Sequence, residues 1–242
     1  MALVSLDLPA GVYRNGTDLQ SAGRWRDSNL VRWFDNTLQP IGGWRTRSNT
    51  PSAGQVRGMK SWIANNADRW IAAGSYNKLY VYSAAGIQSD ITPVGLTAGN
   101  ENALNPIGFG TGFYGREYYG TSRQESVTIT PATTWSMDSF GQYLVACSSS
   151  DGKVYQWQLN TSTKAAVVTN APTNNRSILV TEERFLMCLG AGGNPRLVQW
   201  SDRENNTVWT PAATNEAGSL ELQTTGRIQC GVRVQNQALI LT

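Results

Sequence analysis

The chain has 242 residues with 20 basic and 17 acidic side chains, giving a formal charge of +3, and it is long enough to bury a sizeable core. The basic residues are scattered, which excludes a polybasic arm for nucleic acid. The sequence contains no histidine, which excludes Ser-His-Asp and Cys-His nucleophile pairs, histidine general bases and histidine zinc sites.

The composition favours β-structure. Gly (24), Trp (9) and Tyr (9) are abundant, only 15% of residues are charged, and Ser, Thr and Asn separate short apolar runs. Apolar runs such as Phe185 to Leu189 are far too short to span a membrane, and the start "MALVSLDLPAG" lacks the basic region of a signal peptide. The sequence therefore predicts an all-β chain without a membrane span or signal peptide.

The three cysteines, Cys147, Cys188 and Cys230, stand singly among apolar residues. No Cys-x-x-Cys pair is present, and the total is odd. We expect three buried free thiols in a protein that is assembled in a reducing cytoplasm.

Residues 1–56 differ from the rest because tryptophans alternate with arginines, as in "RNGTDLQSAGRWRDSNLVRWFDNTLQPIGGW". Alternating Arg and Trp could bind phosphates and stack on bases. The favoured interpretation is an extended segment, folded over other strands, whose arginines stack on aromatic rings and pair with Asp18, Asp27 and Asp35.

Three later segments share one pattern, in which an apolar strand, a Gly or Asn turn and an aromatic-rich strand predict a β-hairpin. They are "RWIAAGSYNKLYVYS" from Arg69, "QYLVACSSSDGKVYQWQ" from Gln142 and "RFLMCLGAGGNPRLVQWS" from Arg184. A further strand precedes each hairpin: "GMKSWIA" from Gly58, "TTWSMDS" from Thr133 and "SILVTE" from Ser177. A candidate outer strand follows each: "QSDITPV" from Gln88, "KAAVVTN" from Lys164 and "NTVWTPA" from Asn206.

Four short strands per unit predict blades of a β-propeller, forming an incomplete portion of a larger propeller-containing subunit. We assign residues 57–98, 132–172 and 173–215 to three blades and residues 216–242 to the start of a further blade. An incomplete propeller would leave exposed sheet edges, so we expect more chain or a partner to cover them.

Residues 99–131 form a Gly- and aromatic-rich insertion between the first two blades. Within it "GTGFYG" fits the dinucleotide-binding spacing, but no apolar strand precedes it and no helical period follows, so we predict no cofactor site. The aromatic residues could pack on the chain's own blades, stack on nucleic-acid bases, bind a sugar or contact another subunit. The candidate subunit-interface residues are Phe109, Phe113, Tyr114, Tyr118, Tyr119, Trp25 and Trp33.

The opening quoted above, the loop "GFGTGFYG" followed by "TTWSMDSFGQYLVAC", and "RLVQWSDRENNTVWTPAATNEAGSLEL" carry a family resemblance. In this order they resemble the amino-terminal part of the tail hub or nozzle proteins of short-tailed bacteriophages, of the packaged-DNA stabilisation type. The resemblance implies a structural virion protein that is assembled in the host bacterial cytoplasm. It would form a ring, hexameric in the family, that extends the DNA channel below the portal and adaptor and retains packaged DNA until ejection.

Two alternatives stay open at this point. "SDRENNTVW" resembles the Asp-box turn of sialidases, although Asp202 directly follows Ser201 and Asn206 stands where the box has Gly. This likeness would suit a propeller that binds, or cleaves, host-surface glycans. The aromatic loops could also recognise a sugar or protein on the host surface. We expect no enzyme activity, no catalytic residues, no cofactor and no metal site, and besides sister copies and tail proteins we expect only transient passage of double-stranded DNA.

Overall fold

A computed structural model describes residues 9–43, 45–48, 50–103, 130–235 and 237–242. The chain divides into two compact units, Met1–Arg47 and Ser48–Thr242. The described residues form 16 β-strands and one short 3-10 turn, Ala191–Gly193. The all-β prediction is confirmed.

The first unit contains one β-hairpin, in which β1 (Val31–Phe34) pairs antiparallel with β2 (Thr37–Pro40). Asp35 and Asn36 form its turn with φ angles of 47° and 55°, a conformation that these short polar side chains tolerate better than most. Because the turn needs both residues in this conformation, the sequence Asp-Asn fixes the register of the hairpin.

Arginine pairing in this unit follows the prediction in part. Nη2 of Arg14 lies 3.4 Å from Oδ2 of Asp27, and Arg26 forms a salt bridge with Asp18. The guanidinium of Arg24 lies 5.0 Å from the centre of the Tyr13 ring, as a cation–π contact. The prediction was wrong for Asp35, which occupies the hairpin turn and forms no salt bridge among the described residues.

The second unit contains three four-stranded antiparallel sheets, each with its strands in chain order. The first sheet is formed by β3 (Met59–Ile63), β4 (Arg69–Gly74), β5 (Leu79–Ser83) and β6 (Gln88–Asp90). The second is formed by β7 (Trp135–Phe140), β8 (Tyr143–Ser148), β9 (Val154–Trp157) and β10 (Ala166–Val167). The third is formed by β11 (Ser177–Val180), β12 (Leu186–Leu189), β13 (Leu197–Trp200) and β14 (Gly218–Glu221).

A hairpin follows these sheets, with β15 (Cys230–Val234) paired to β16 (Gln237–Leu241). The repeating four-strand plan predicted from the sequence is therefore present, and a further hairpin stands where the next unit was expected. Within the described residues, none of the sheets closes on itself.

The outer strand of the third sheet was predicted wrongly. We expected it to begin at Asn206, but the strand that pairs with β13 is β14, so the third sheet extends past residue 215. Trp209 is instead only 3% exposed and packs into the apolar core between the second and third sheets. Burying a whole indole ring stabilises the fold more than placing it in a half-exposed outer strand.

Aromatic and aliphatic side chains pack consecutive sheets face to face. Between the first and second sheets, the ring of Trp157 makes edge contacts with Trp62 and Trp70, at centroid distances of 6.3 and 5.2 Å. Between the second and third sheets, β8 and β9 pack against β11 and β12. The middle strands of the second sheet, β8 and β9, are therefore covered on both faces, which explains the apolar runs in their sequences.

The first strands of the sheets, β3, β7 and β11, lie side by side and run in the same direction. The hydroxyl of Ser136 in β7 donates to the Ile178 carbonyl at 3.0 Å and accepts from the Ile178 amide at 3.1 Å. One carboxylate, that of Asp138, reaches both neighbouring sheets. Its Oδ1 accepts from Lys60 Nζ at 2.7 Å and its Oδ2 accepts from the Val180 amide at 2.9 Å.

We predict that Asp138→Asn lowers the free energy of unfolding by about 2 to 3 kcal/mol. Both neighbours of the carboxylate are donors and its side chain is only 13% exposed, so an amide NH₂ group would face a donor and leave Lys60 without its counter-charge. Chemical denaturation monitored by tryptophan fluorescence measures the loss. Glu204→Gln, which breaks an exposed pair with Arg184 at 3.6 Å, should cost less than about 0.5 kcal/mol; equal losses would contradict the prediction.

Candidate functional site

Three arginines stand just before first strands of the second unit. Arg57, Arg176 and Arg227 lie between one and three positions before β3, β11 and β15. Strand β15 also runs alongside β11 in the same direction, because Gln229 lies beside Arg176 and Arg233 lies near Thr181. All three arginines therefore occupy the same side of the sheets, which we call the start side. The sequence analysis missed this recurrence. Aligning "VRGMKSW", "NRSILV" and "GRIQCGV" on their first strands would have found it.

None of these guanidinium groups forms a salt bridge among the described residues. Nη2 of Arg57 donates to Gln55 Oε1 at 2.7 Å and to the Glu101 backbone carbonyl at 2.9 Å. Nη2 of Arg176 donates to Gln229 Oε1 at 3.2 Å. The Nε atoms of Arg57 and Arg176 are buried without a hydrogen-bond partner in the described part of the chain. Burial lowers the pKa of the Arg176 guanidinium, and the nearby charge of Arg227 adds to the effect.

Arg176 and Arg227 line one open cavity of about 210 Å³. The rest of its wall comes from loops on the start side: Ser149, Asn174, Asn175, Gly190, Gly193 and Pro195. No carboxylate contributes to this wall. Two guanidinium groups facing a polar cavity without an acidic neighbour form an electropositive site, which is suited to an anion.

The predicted interface aromatics fall into two groups. Phe109, Phe113, Tyr114, Tyr118 and Tyr119 lie outside the described residues, as does the "GTGFYG" stretch. Trp25 and Trp33 lie in the first unit and contact each other, with ring centroids 5.8 Å apart and planes tilted by 57°. Both are half-buried, so each presents only part of its ring to a partner.

Apolar side chains are exposed at both ends of the series of sheets. On the first sheet, the face turned away from the second sheet carries Met59, Ile63 and Ile71, which are 66%, 61% and 41% exposed. On the final hairpin, the face turned away from the third sheet carries a second group: Val232, Val234, Leu239 and Leu241. These two flat apolar faces are candidate contact surfaces.

The stretch "SDRENNTVW" forms a compact turn beyond β13. The Asp202 amide donates to the Val208 carbonyl at 2.9 Å, and Trp209 Nε1 donates to the Asn206 carbonyl at 2.7 Å. Asn206 Nδ2 also donates to Gln156 Oε1 of the second sheet at 3.1 Å. Because the Trp209 ring is buried, it cannot stack on a sugar. The resemblance to an Asp-box therefore corresponds here to a contact between sheets.

A carboxylate also joins the first and second sheets at their outer strands. Asp90 accepts from Lys78 Nζ at 2.9 Å and from the Thr92 amide at 2.8 Å, and it lies 3.2 Å from Lys164 Nζ. Burial alone would raise the pKa of Asp90, but the hydrogen bonds from Thr92, Lys78 and Lys164 outweigh it and hold this pKa well below its usual range.

The cysteine prediction was right for two residues and wrong for the third. Cys147 and Cys188 are buried free thiols, whereas Cys230 is exposed. Burial raises the pKa of Cys147 to about 12 and that of Cys188 well above its ordinary value. Cys230 lies on the outward face of the final hairpin, beside Val232 and opposite Leu241, and no strand among the described residues covers it.

Among the described ranges, no group of three or more Cys, Asp or Glu side chains is arranged to hold a metal ion. In the same part of the chain, no helix is long and apolar enough to cross a membrane. Comparisons with protein-family models, with curated proteins and with solved structures find no match to this chain.

We predict that Asp90→Asn lowers the free energy of unfolding by about 1 kcal/mol at neutral pH and has progressively less effect in acid. The folded-state pKa of Asp90 is depressed, so its contribution is complete above the unfolded-state value, about pH 4, and is lost as the pH falls toward the folded-state value. Denaturation curves at several pH values measure this. Glu221→Gln, which removes a single exposed pair with Arg196, is the matched control; a loss for Asp90→Asn that is independent of pH would contradict the prediction.

We also predict that native protein exposes Cys230 to a soluble thiol reagent while Cys147 and Cys188 react at least about a hundredfold more slowly. The side chains of Cys147 and Cys188 become accessible to the reagent only when the surrounding strands separate. Timed labelling followed by peptide mass spectrometry gives the rate at each position. Cys230→Ser should abolish the fast reaction, and comparable rates at all three positions would show that the core is not closed.

Proposed function

We propose that this chain is a structural virion protein of a phage tail. It forms part of the tail hub or nozzle ring that extends the DNA channel and retains packaged DNA until ejection. We further propose that its four-stranded sheets are blades of a β-propeller. The proposal rests mainly on one observation: three antiparallel sheets follow one another along the chain, with their first strands side by side and parallel.

This arrangement supports a propeller because blades place their first strands around an axis and pack their faces on each other. The contacts of Asp138 and Ser136 between first strands, and of Trp157 between sheet faces, fit that plan. The sequence resemblance to nozzle proteins supplies the role. Without that resemblance, the sheets alone would support many functions.

The exposed apolar faces support assembly with other copies. Flat faces that bear Met59, Ile63 and Ile71 at one end and Val232 and Leu239 at the other are unfavourable in water. Two different faces that meet between copies give a head-to-tail contact, which closes into a ring when the rotation permits. The formal charge of +3 also suits a conduit, because each phosphate that is held along a channel slows the passage of DNA.

We expect purified protein to form a closed ring, measured as a discrete mass by light scattering and as ring-shaped particles by electron microscopy. A stable monomer that binds purified cell-wall glycans would contradict the proposal and favour the alternative, a host-recognition propeller. Masses that grow without limit with concentration would also contradict it, because they indicate open head-to-tail polymers instead of a ring.

We predict that Ile63→Lys prevents ring formation while leaving the fold intact. A charge on the outward face of the first sheet must be desolvated when a second copy covers it. Val94→Lys is the matched control, because Val94 is 87% exposed in the loop after β6 and lies off that face. Circular dichroism should show both variants folded, and a ring that persists in Ile63→Lys would exclude this face from the contact.

A further inference from the structure

We propose that the cavity between Arg176 and Arg227 binds a phosphate group of the double-stranded DNA backbone. The inference rests on the proposed function, to which it adds a specific site. Both guanidinium groups line the cavity, and the loops that complete its wall contribute hydroxyl, amide and backbone groups but no carboxylate. A guanidinium group binds phosphate, as it binds carboxylate, with two parallel hydrogen bonds, and phosphate is the anion that the proposed function supplies.

The chain places two like charges close together without compensating them. Neither Arg176 nor Arg227 forms a salt bridge among the described residues, whereas Arg196, on the same side of the third sheet, pairs with Glu221 at 2.6 Å. The Nε atom of Arg176 is buried without a partner there. The two like charges also repel each other, and an anion in the cavity would offset this repulsion.

The backbone around the cavity keeps it open. Gly190 has a φ of 66°, and a Cβ atom there would lie 3.2 Å from the Cβ of Arg176. Gly193 has a φ of 82° and also lines the wall. These positions favour glycine because of their backbone angles, and the missing side chains leave space for the Arg176 stem and for a ligand.

The location fits retention of DNA better than sequence recognition. The cavity lies on the start side, where the first strands begin, and it offers charge and hydrogen-bond donors to phosphate oxygens, while the described residues contain no α-helix that could enter a groove. A ring would repeat this site once in each copy. DNA would then be held at one level, by contacts that high salt weakens.

The test measures binding of a fluorescent DNA duplex of mixed sequence to the assembled protein over a series of salt concentrations. We expect Arg176→Gln/Arg227→Gln to weaken binding at low salt by at least about tenfold. The slope of log affinity against log salt should fall by about 0.9 for each phosphate contact that is lost. Thermal melting and the mass of the assembly should be unchanged.

The matched control is Arg184→Gln/Arg203→Gln, which removes the same charge from the opposite side of the sheets. Arg184 lies in the turn before β12, and Arg203 follows the end of β13. Arg184 forms an exposed salt bridge with Glu204 at 3.6 Å, which contributes little to stability, and Arg203 forms no salt bridge among the described residues. A loss in duplex binding equal to that of the start-side variant would indicate a general charge effect and would overturn the proposal.

A second titration, with inorganic phosphate alone, distinguishes the source of the phosphate group. Duplex binding that depends on both arginines supports the proposal. Saturable binding of inorganic phosphate without any arginine-dependent duplex binding overturns it in favour of a small-anion site. Intact rings that bind neither ligand through these arginines overturn the site alone, whereas a protein that forms no ring contradicts the proposed function.

Discussion

The arrangement of the sheets depends most on the hydrogen bonds that the Asp138 carboxylate accepts from its two neighbouring sheets. It lies in the first strand of the second sheet and holds both the ammonium of Lys60 in the first sheet and the backbone amide of Val180 in the third. The free energy of apolar packing between sheets changes little when one sheet shifts slightly along another, because the hydrophobic effect is not directional. A largely buried carboxylate that accepts hydrogen bonds from both neighbouring sheets is sensitive to such shifts, so it favours one register of all three sheets.

Much of the fold could be predicted from the sequence because the strands carry local signals. Apolar runs bounded by turn residues such as Asn77 and Gly152 gave the position of each hairpin. Trp209 was misplaced because the alternating stretch "NTVWTPA" fits an outer strand and a buried turn equally well. Its burial depends on the neighbouring sheet. Cys230 was misplaced for a similar reason, because its apolar surroundings do not reveal which face of the hairpin is covered.

The candidate site was harder to predict than the fold. The arginines on the start side are far apart in sequence, and each stands among ordinary loop residues. Only the parallel alignment of the first strands brings Arg176 and Arg227 to one cavity. The abundance of aromatic residues favours them as interface residues, yet Trp25 and Trp33 contact each other, and Trp157 and Trp209 pack between sheets. In the described part of the chain, these tryptophan rings mainly stabilise packing, whereas unpaired charge marks the candidate site.

In the proposed conduit, the contrast between Lys60 and Arg176 would allow one chain both to hold DNA and to let it pass. Along the first strands, the ammonium of Lys60 is neutralised by Asp138 and offers little attraction to a phosphate. At the start of those strands, Arg176 and Arg227 have no acidic partner among the described residues. A conduit with neutral walls and a basic rim holds DNA through few phosphates, and the cost of release does not grow with the length that passes. Retention and passage are then compatible, because they depend on different residues.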